Sequence, residues 1–153
     1  MLEIVVSLVL LANGLAAGVL LGTQLGGWPL LASLPPDRYV HAHAFFSTRY
    51  DPFMPACLLI TTLGDLALGL LAASPVARVS YLVAAALCLG TIAISLTQNV
   101  PVNRWVRNLD PDNLPDDFAE QDPRRRWGTW NRIRTALSTL ALLINCAVVG
   151  LAL

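Results

Sequence analysis

"YLVAAALCLGTIAISL" (Tyr81–Leu96) is an unbroken apolar run, and "TQNVPVNRW" (Thr97–Trp105) closes it with a glutamine, two asparagines, a proline and a tryptophan. A helix needs about 20 mostly apolar residues to cross the hydrocarbon core of a bilayer. Three further runs of this kind accompany it, placing candidate spans at residues 4–22, 53–73, 81–97 and 136–153. Hydrophobic residues make up 56% of the 153-residue chain, and a soluble domain of that size has too little interior to hide four such helices. The sequence predicts an all-α, integral membrane four-helix bundle built from one domain, 1–153, with a polar cap loop at its cytoplasmic end. The fourth helix is expected to start near residue 125, ahead of its apolar part. The first run could be read as a secretory signal. Its only early side-chain charge is the acid Glu3, however, and three spans follow it, so a retained helix is expected.

All ten cations are arginines. Arg38 and Arg49 fall in the first connection, Arg78 alone in the second, and Arg104, Arg107, Arg124, Arg125 and Arg126 in the third. Positive charge collects on the cytoplasmic side, so the first and third connections are expected inside and both termini outside, in a bacterial inner membrane. The arginines thus report orientation, with no nucleic-acid partner indicated. Cys57, Cys88 and Cys146 all lie in apolar runs. An odd count there argues against a disulfide framework and fits thiols packed as small hydrophobes. Gly14, Gly18 and Gly22 form a small-residue stripe that permits close helix approach, within the bundle or in a homo-oligomer. "GGWPLLASLPP" is expected to break regular structure at its start, and "DRYVHAHAFFSTRY" to form a short helix capped by Asp37.

Polar residues follow helical spacing. Trp127, Asn131, Arg134, Ser138 and Asn145 fall within an arc of about 60° at 100° per residue. In lipid such a stripe would leave its donors unpaired, so it is expected to face the bundle interior. Thr91, Ser95 and Gln98 share a face of the third span, with Asn99 at its flank. Pro101 is expected to break that helix, and Asn103 to fold back onto freed backbone groups. Asp65 stands near the middle of the second span, where a carboxylate is costly and by default a functional candidate.

The only histidines, His41 and His43, sit two residues apart in "VHAHA". On a helix they project about 200° apart and cannot share one metal ion, whereas an extended segment would allow it. On the helical reading, His43 aligns with Tyr39, Phe46 and Tyr50, and His41 with Arg38 and Phe45.

With these residues in view, "NVPVNRW" and "RRRWGTWNRIRT", joined by a loop rich in Asp and Pro, resemble the small four-helix membrane proteins grouped as anthrone-oxygenase-like. The shared pattern is Asn-x-Pro-x-Asn at the end of the third helix and Trp-x-x-x-(Asn/His)-x-x-Arg-Thr at the start of the fourth. Here those positions are Asn99, Pro101, Asn103, Trp127, Asn131, Arg134 and Thr135. The resemblance implies oxidation of a polycyclic anthrone by dioxygen without flavin or haem, in secondary metabolism. Some relatives carry histidine where this chain has Asn131, so a different base is needed here.

The expected chemistry is a monooxygenase-type oxidation of a hydrophobic, anthrone-like substrate drawn from the bilayer, with dioxygen as co-substrate and no required cofactor. His43, with Asp65 second, would remove a proton, while Arg134, Asn131 and Asn99 stabilise the oxyanion. His41, Gln98, Asn103, Trp127, Ser138 and Tyr50 are the expected substrate contacts. No glycine-rich nucleotide fingerprint is present, which argues against bound NAD or flavin. A copper or iron site using His41 or His43 is the metal-dependent alternative. A non-catalytic membrane scaffold or carrier is the alternative from another class.

Overall fold

The structure, a computed structural model, describes residues 2–152; the final residue of the expected fourth span, Leu153, lies outside them. The fold is an all-helical membrane bundle, with no strand among the described residues. Four helices are long and apolar enough to cross a membrane. They are α1 (Leu2–Ser33), α3 (Phe53–Leu71), α4 (Pro75–Arg107) and α5 (Arg124–Ala152), with a short α2 (Pro36–Phe46) between the first two. A single helical turn, Phe118–Gln121, precedes α5. The four long helices form a ring in which α1 and α4 each pack against both α3 and α5.

The bundle puts large side chains outside and small or polar ones inside. Leu11, Leu63, Leu70, Leu89 and Leu143 are exposed, whereas Ala16, Ala17, Ala84, Cys88 and Ala141 are buried. Lipid offers no reward for hiding leucine, so helices associate by close packing and interhelical hydrogen bonds. Glycine serves that purpose at specific points. A Cβ on Gly64 would strike Val9, and one on Gly69 would strike Leu82. The Gly14/Gly18 stripe, by contrast, meets nothing within 4 Å; it does not make the close approach inside the bundle that its spacing permits.

Two expected helix breaks are absent. α1 runs through "GGWP" and α4 runs through Pro101, each by way of a π-helical turn, Thr23–Gly27 and Ser95–Asn99. In both, an N–H reaches five residues back: Trp28 to the Thr23 carbonyl, Val100 to the Ser95 carbonyl. The next residue is Pro29 or Pro101. A proline inside an α-helix clashes with the carbonyl four residues earlier, and the widened turn moves that carbonyl aside. The real stop in α1 comes at extended Leu34, ahead of Pro35 and Pro36. Asp37 lies in the first turn of α2 and makes no capping bond.

These extensions carry α1 and α4 about 50 Å, at 1.5 Å per residue, well past a hydrocarbon core of about 30 Å. The protruding ends, α2 and the Phe118 turn enclose a separate apolar cluster of Leu31, Tyr39, Val40, Val102, Val106, Phe118 and Trp127. Arg124 pins the end of α1 by donating to the Leu34 carbonyl at 2.7 Å, while its guanidinium also binds Asp122. The cap is therefore a small packed core of its own.

Candidate functional site

Where the cap meets the bundle lies a cavity of about 540 Å³, walled by α1, α2, α3, α4 and α5. Both π-turns border it, through Thr23, Gly26 and Gly27 on one side and Ser95 and Leu96 on the other. Most of the wall is aliphatic. His43, Asn103, Trp127, Arg134, Ser95, Tyr50 and Asp51 supply its functional groups. The rim includes Leu30, Leu59 and Leu96, which are exposed on the apolar flank of the bundle.

His43 projects from α2 into an aromatic cage. Tyr39 and Trp127 each meet its ring edge-to-face with centroids 5.2 Å apart, and Trp28 lies 5.6 Å behind Trp127. Its protonation is legible from its neighbours. The Trp127 indole N–H donates to Asn103 Oδ1 at 2.8 Å, and an indole nitrogen can only donate. The same Oδ1 sits 2.9 Å from His43 Nε2, so that nitrogen must carry a hydrogen and donate as well. Nδ1 is left as a bare lone pair, buried and without a partner. Burial pushes the imidazole's pKa below its ordinary value, and the Asn103 hydrogen bond opposes that shift. His43 is a neutral imidazole with one basic nitrogen free.

Arg134 is 7% exposed and has no carboxylate partner among the described residues. Its Nε and Nη2 both donate to Asn131 Oδ1, at 3.1 and 2.9 Å, and Nη1 donates to Ser95 Oγ at 3.1 Å. Asn131 is held in turn by donating to Gln24 Oε1 at 2.9 Å. The guanidinium also lies 5.7 Å from the centroid of the Trp127 ring. The base and the cation thus flank one indole. A buried arginine whose charge meets only neutral acceptors is poised to bind an anion.

The other candidates distribute differently. Asn99 is buried behind the wall, donating to the Trp127 carbonyl at 3.3 Å, and Asn131 likewise acts through Arg134. Gln98 is turned away and accepts from Arg126 at 3.0 Å. The π-turn explains this, because its extra residue rotates Asn99 rather than Gln98 onto the inner face. Asn103 bonds to side chains and does not fold back onto backbone. His41 is exposed on the outer face of α2 and does not border the cavity, which corrects its expected substrate contact. Ser138 is fully buried below the cavity, and so is Asp65, whose partner is Asn145 at 3.2 Å. Neither borders the cavity, contrary to expectation.

Three residues of the site were missed. Ser95 was visible on the polar face of α4. Gln24 supports Asn131 only through the antiparallel register of α1 and α5, and Asp51 borders the cavity from a turn. Gln24 shares a face of the first helix with Asn13, and Asp51 opens the "DPFMP" stretch, but neither position by itself points to the cavity. Among the described residues no group of three or more His, Cys, Asp or Glu gathers as metal ligands. With His41 outside and His43 Nε2 engaged, one imidazole nitrogen is all that the predicted histidine pair could offer a metal.

A membrane four-helix bundle with a histidine and an unpaired arginine on one apolar cavity defines the class. The sequence model of the anthrone oxygenase family matches residues 43–144, two thirds of the chain, and the chain belongs to that family. The match begins at His43 and takes in Asn103, Trp127 and Arg134. No curated protein and no solved structure matches the chain.

Proposed function

We propose that this protein is a membrane oxygenase that oxidises a hydrophobic, anthrone-like carbon acid with dioxygen. The observation that carries the reading is the buried Arg134 guanidinium, without an ion-pair partner among the described residues, on the same indole wall as a neutral His43. Family membership supports the oxygen chemistry. The cavity volume lies within the ~300–1,000 Å³ of small-molecule sites, and its leucine rim gives a lipid-dissolved substrate a lateral way in. The arginine-rich connections support a cytoplasmic placement of this end of the bundle.

In the mechanism, the substrate's carbonyl oxygen lies toward Arg134 and its acidic CH₂ toward His43. Nδ1 takes one C–H proton, and the enolate oxygen gains the guanidinium's charge in a medium of low dielectric. The electron-rich carbon gives electrons to dioxygen and forms a C–O bond, and the resulting peroxide receives the proton from His43. Loss of the second C–H proton breaks the O–O bond, leaving a new carbonyl and water. One CH₂ and one O₂ yield one C=O and one H₂O, so no external reductant is needed. Asn103 and Trp127 hold the imidazole in the tautomer that this requires, and Asn131 and Ser95 hold the guanidinium.

The test is oxygen uptake by purified protein in lipid nanodiscs, given an anthrone as substrate. Uptake matching quinone formation one to one, and lost in His43→Gln and Arg134→Met variants of unchanged fold, is the expected result. A folded wild-type protein that binds the anthrone without oxidising it would overturn the reading and leave a carrier.

A further inference from the structure

A second polar centre lies deeper in the bundle and has no part in the cavity. Asp65 is 0% exposed and stands two turns along α3 from Leu58, which borders the cavity. Its Oδ2 accepts one hydrogen bond, from Asn145 Nδ2 at 3.2 Å, and its Oδ1 has no partner. Asn145 Oδ1, Ser138 Oγ and both side-chain polar atoms of Asn13 are also buried and unpartnered. Packing brings Asn13 to the same level. Val9 lies against Gly64, and Ala12 and Ala16 pack with Cys57 and Leu58, so the residue between faces the Thr61–Asp65 turn.

Ser138 lies two turns along α5 from Asn145, toward the cavity, and is a separate orphan. Asp65, Asn145 and Asn13 thus contribute orphaned polar groups from three helices to one region at mid-membrane, and lipid can satisfy none of them. Buried polar groups in folded proteins are almost always bonded, and a bound ion or water is a standard partner for those that lack one within the chain. The free atoms here are mainly oxygens: one from a carboxylate and two amide carbonyls. No arginine or histidine forms an ion pair with Asp65, since the sole ion pair among the described residues is Arg124–Asp122. A buried carboxylate requires a compensating positive charge. One carboxylate balances a monovalent cation, whereas a divalent ion would leave net charge at the bilayer centre. Hard oxygen donors suit alkali and alkaline-earth ions over copper or iron.

We propose that Asp65, Asn145 and Asn13 form a binding site for a single Na⁺ ion that ties α1, α3 and α5 together. An ion that binds only the folded state raises its stability by mass action. The experiment is the melting temperature of full-length protein in detergent, titrated with NaCl against choline chloride at constant ionic strength and at several pH values. A saturable rise with Na⁺ is expected. Asp65→Asn should abolish the Na⁺ dependence whatever its own melting temperature, and Asn13→Ala should shift the midpoint to higher Na⁺. Equal melting in Na⁺ and choline would overturn the site. Stability that follows pH and ignores Na⁺ would also overturn it, assigning the compensating charge to a proton. Na⁺ dependence that survives in Asp65→Asn would place the ion elsewhere, with the same consequence.

Discussion

Among the described residues, Arg134 and Asp65 are the two formally charged side chains buried inside the bundle, and neither forms an ion pair. They do not neutralise each other. Asp65 bonds to Asn145, which lies 11 residues beyond Arg134 on α5, about 16 Å along the helix at 1.5 Å per residue. Their surroundings differ in kind. Arg134 borders a cavity that opens on the apolar flank of the bundle, and its held nitrogens all face neutral acceptors. Asp65 does not border that cavity and is fully buried beside Asn145, whose own Oδ1 is unpartnered. A charge on a cavity wall can wait for a substrate that becomes an anion during reaction. A charge in a closed layer must be compensated from the moment of folding. The comparison separates a catalytic centre from a structural one, although both look alike in sequence as lone intramembrane charges.

The strongest way to break this division is to remove the base. His43→Gln should lower turnover by about 10²–10⁴-fold, the usual contribution of a positioned general base. The pH profile gives a second check. Burial depresses the His43 pKa, so Nδ1 is free at neutral pH and becomes protonated only as pH falls through that lowered value. Turnover per enzyme should therefore be flat above neutrality and fall on the acid side, and the variant's residual rate should lack that limb. The folded state resists a proton that the unfolded chain accepts near 6.5, so stability also declines as pH drops below that point. A rate that falls with rising pH would contradict the assignment.

Arg134→Met comes next and separates the two charges most directly. Loss of the guanidinium should cost about 10²–10³-fold in kcat, as for removal of an oxyanion donor. The fold should keep its stability, because a cation that pays its own desolvation is often replaced by an apolar residue at little or no loss. A collapse of the melting temperature with activity per folded molecule intact would make Arg134 glue. Asn103→Leu should act more mildly, through orientation. It frees His43 to adopt either tautomer, so kcat should fall while substrate affinity is retained. Normal turnover in that variant would remove Asn103 from the machinery.

The inward stripe of α5 was legible because 3.6-residue spacing alone aligns Trp127, Asn131, Arg134, Ser138 and Asn145, and all five are buried. The same logic failed on α4. The π-turn at Ser95–Asn99 changes the phase, so Asn99 faces inward and Gln98 faces Arg126. Both prolines read as helix breakers because local propensity says nothing of a wide turn upstream of them. Helical periodicity separated His41 from His43 correctly in direction, yet only the folded cap shows which of the two faces the cavity. The Gln24–Asn131 and Trp127–Asn103–His43 contacts join distant segments, and no pattern within one segment encodes them.

Gly128 offers the smallest and most local test, because it separates the cap from the transmembrane part. A Cβ there would drive into the Trp28 ring, which backs Trp127. Neither side can yield easily, since the glycine sits in the long α5 helix and the indole rests on the cap cluster. Gly128→Ala should cost about 1–3 kcal/mol, the usual penalty for overpacking. The displaced Trp28 would push on Trp127 and, through it, on His43, so turnover should fall together with the stability of the cap. Na⁺-dependent melting at Asp65 should persist, because that layer lies below the cavity and shares no contact with either tryptophan. Thermal melts read with and without Na⁺, alongside oxygen uptake, check both halves in one preparation. Loss of the Na⁺ response in Gly128→Ala would mean that cap and core are one cooperative unit, and the contrast between Arg134 and Asp65 would then be one of chemistry alone.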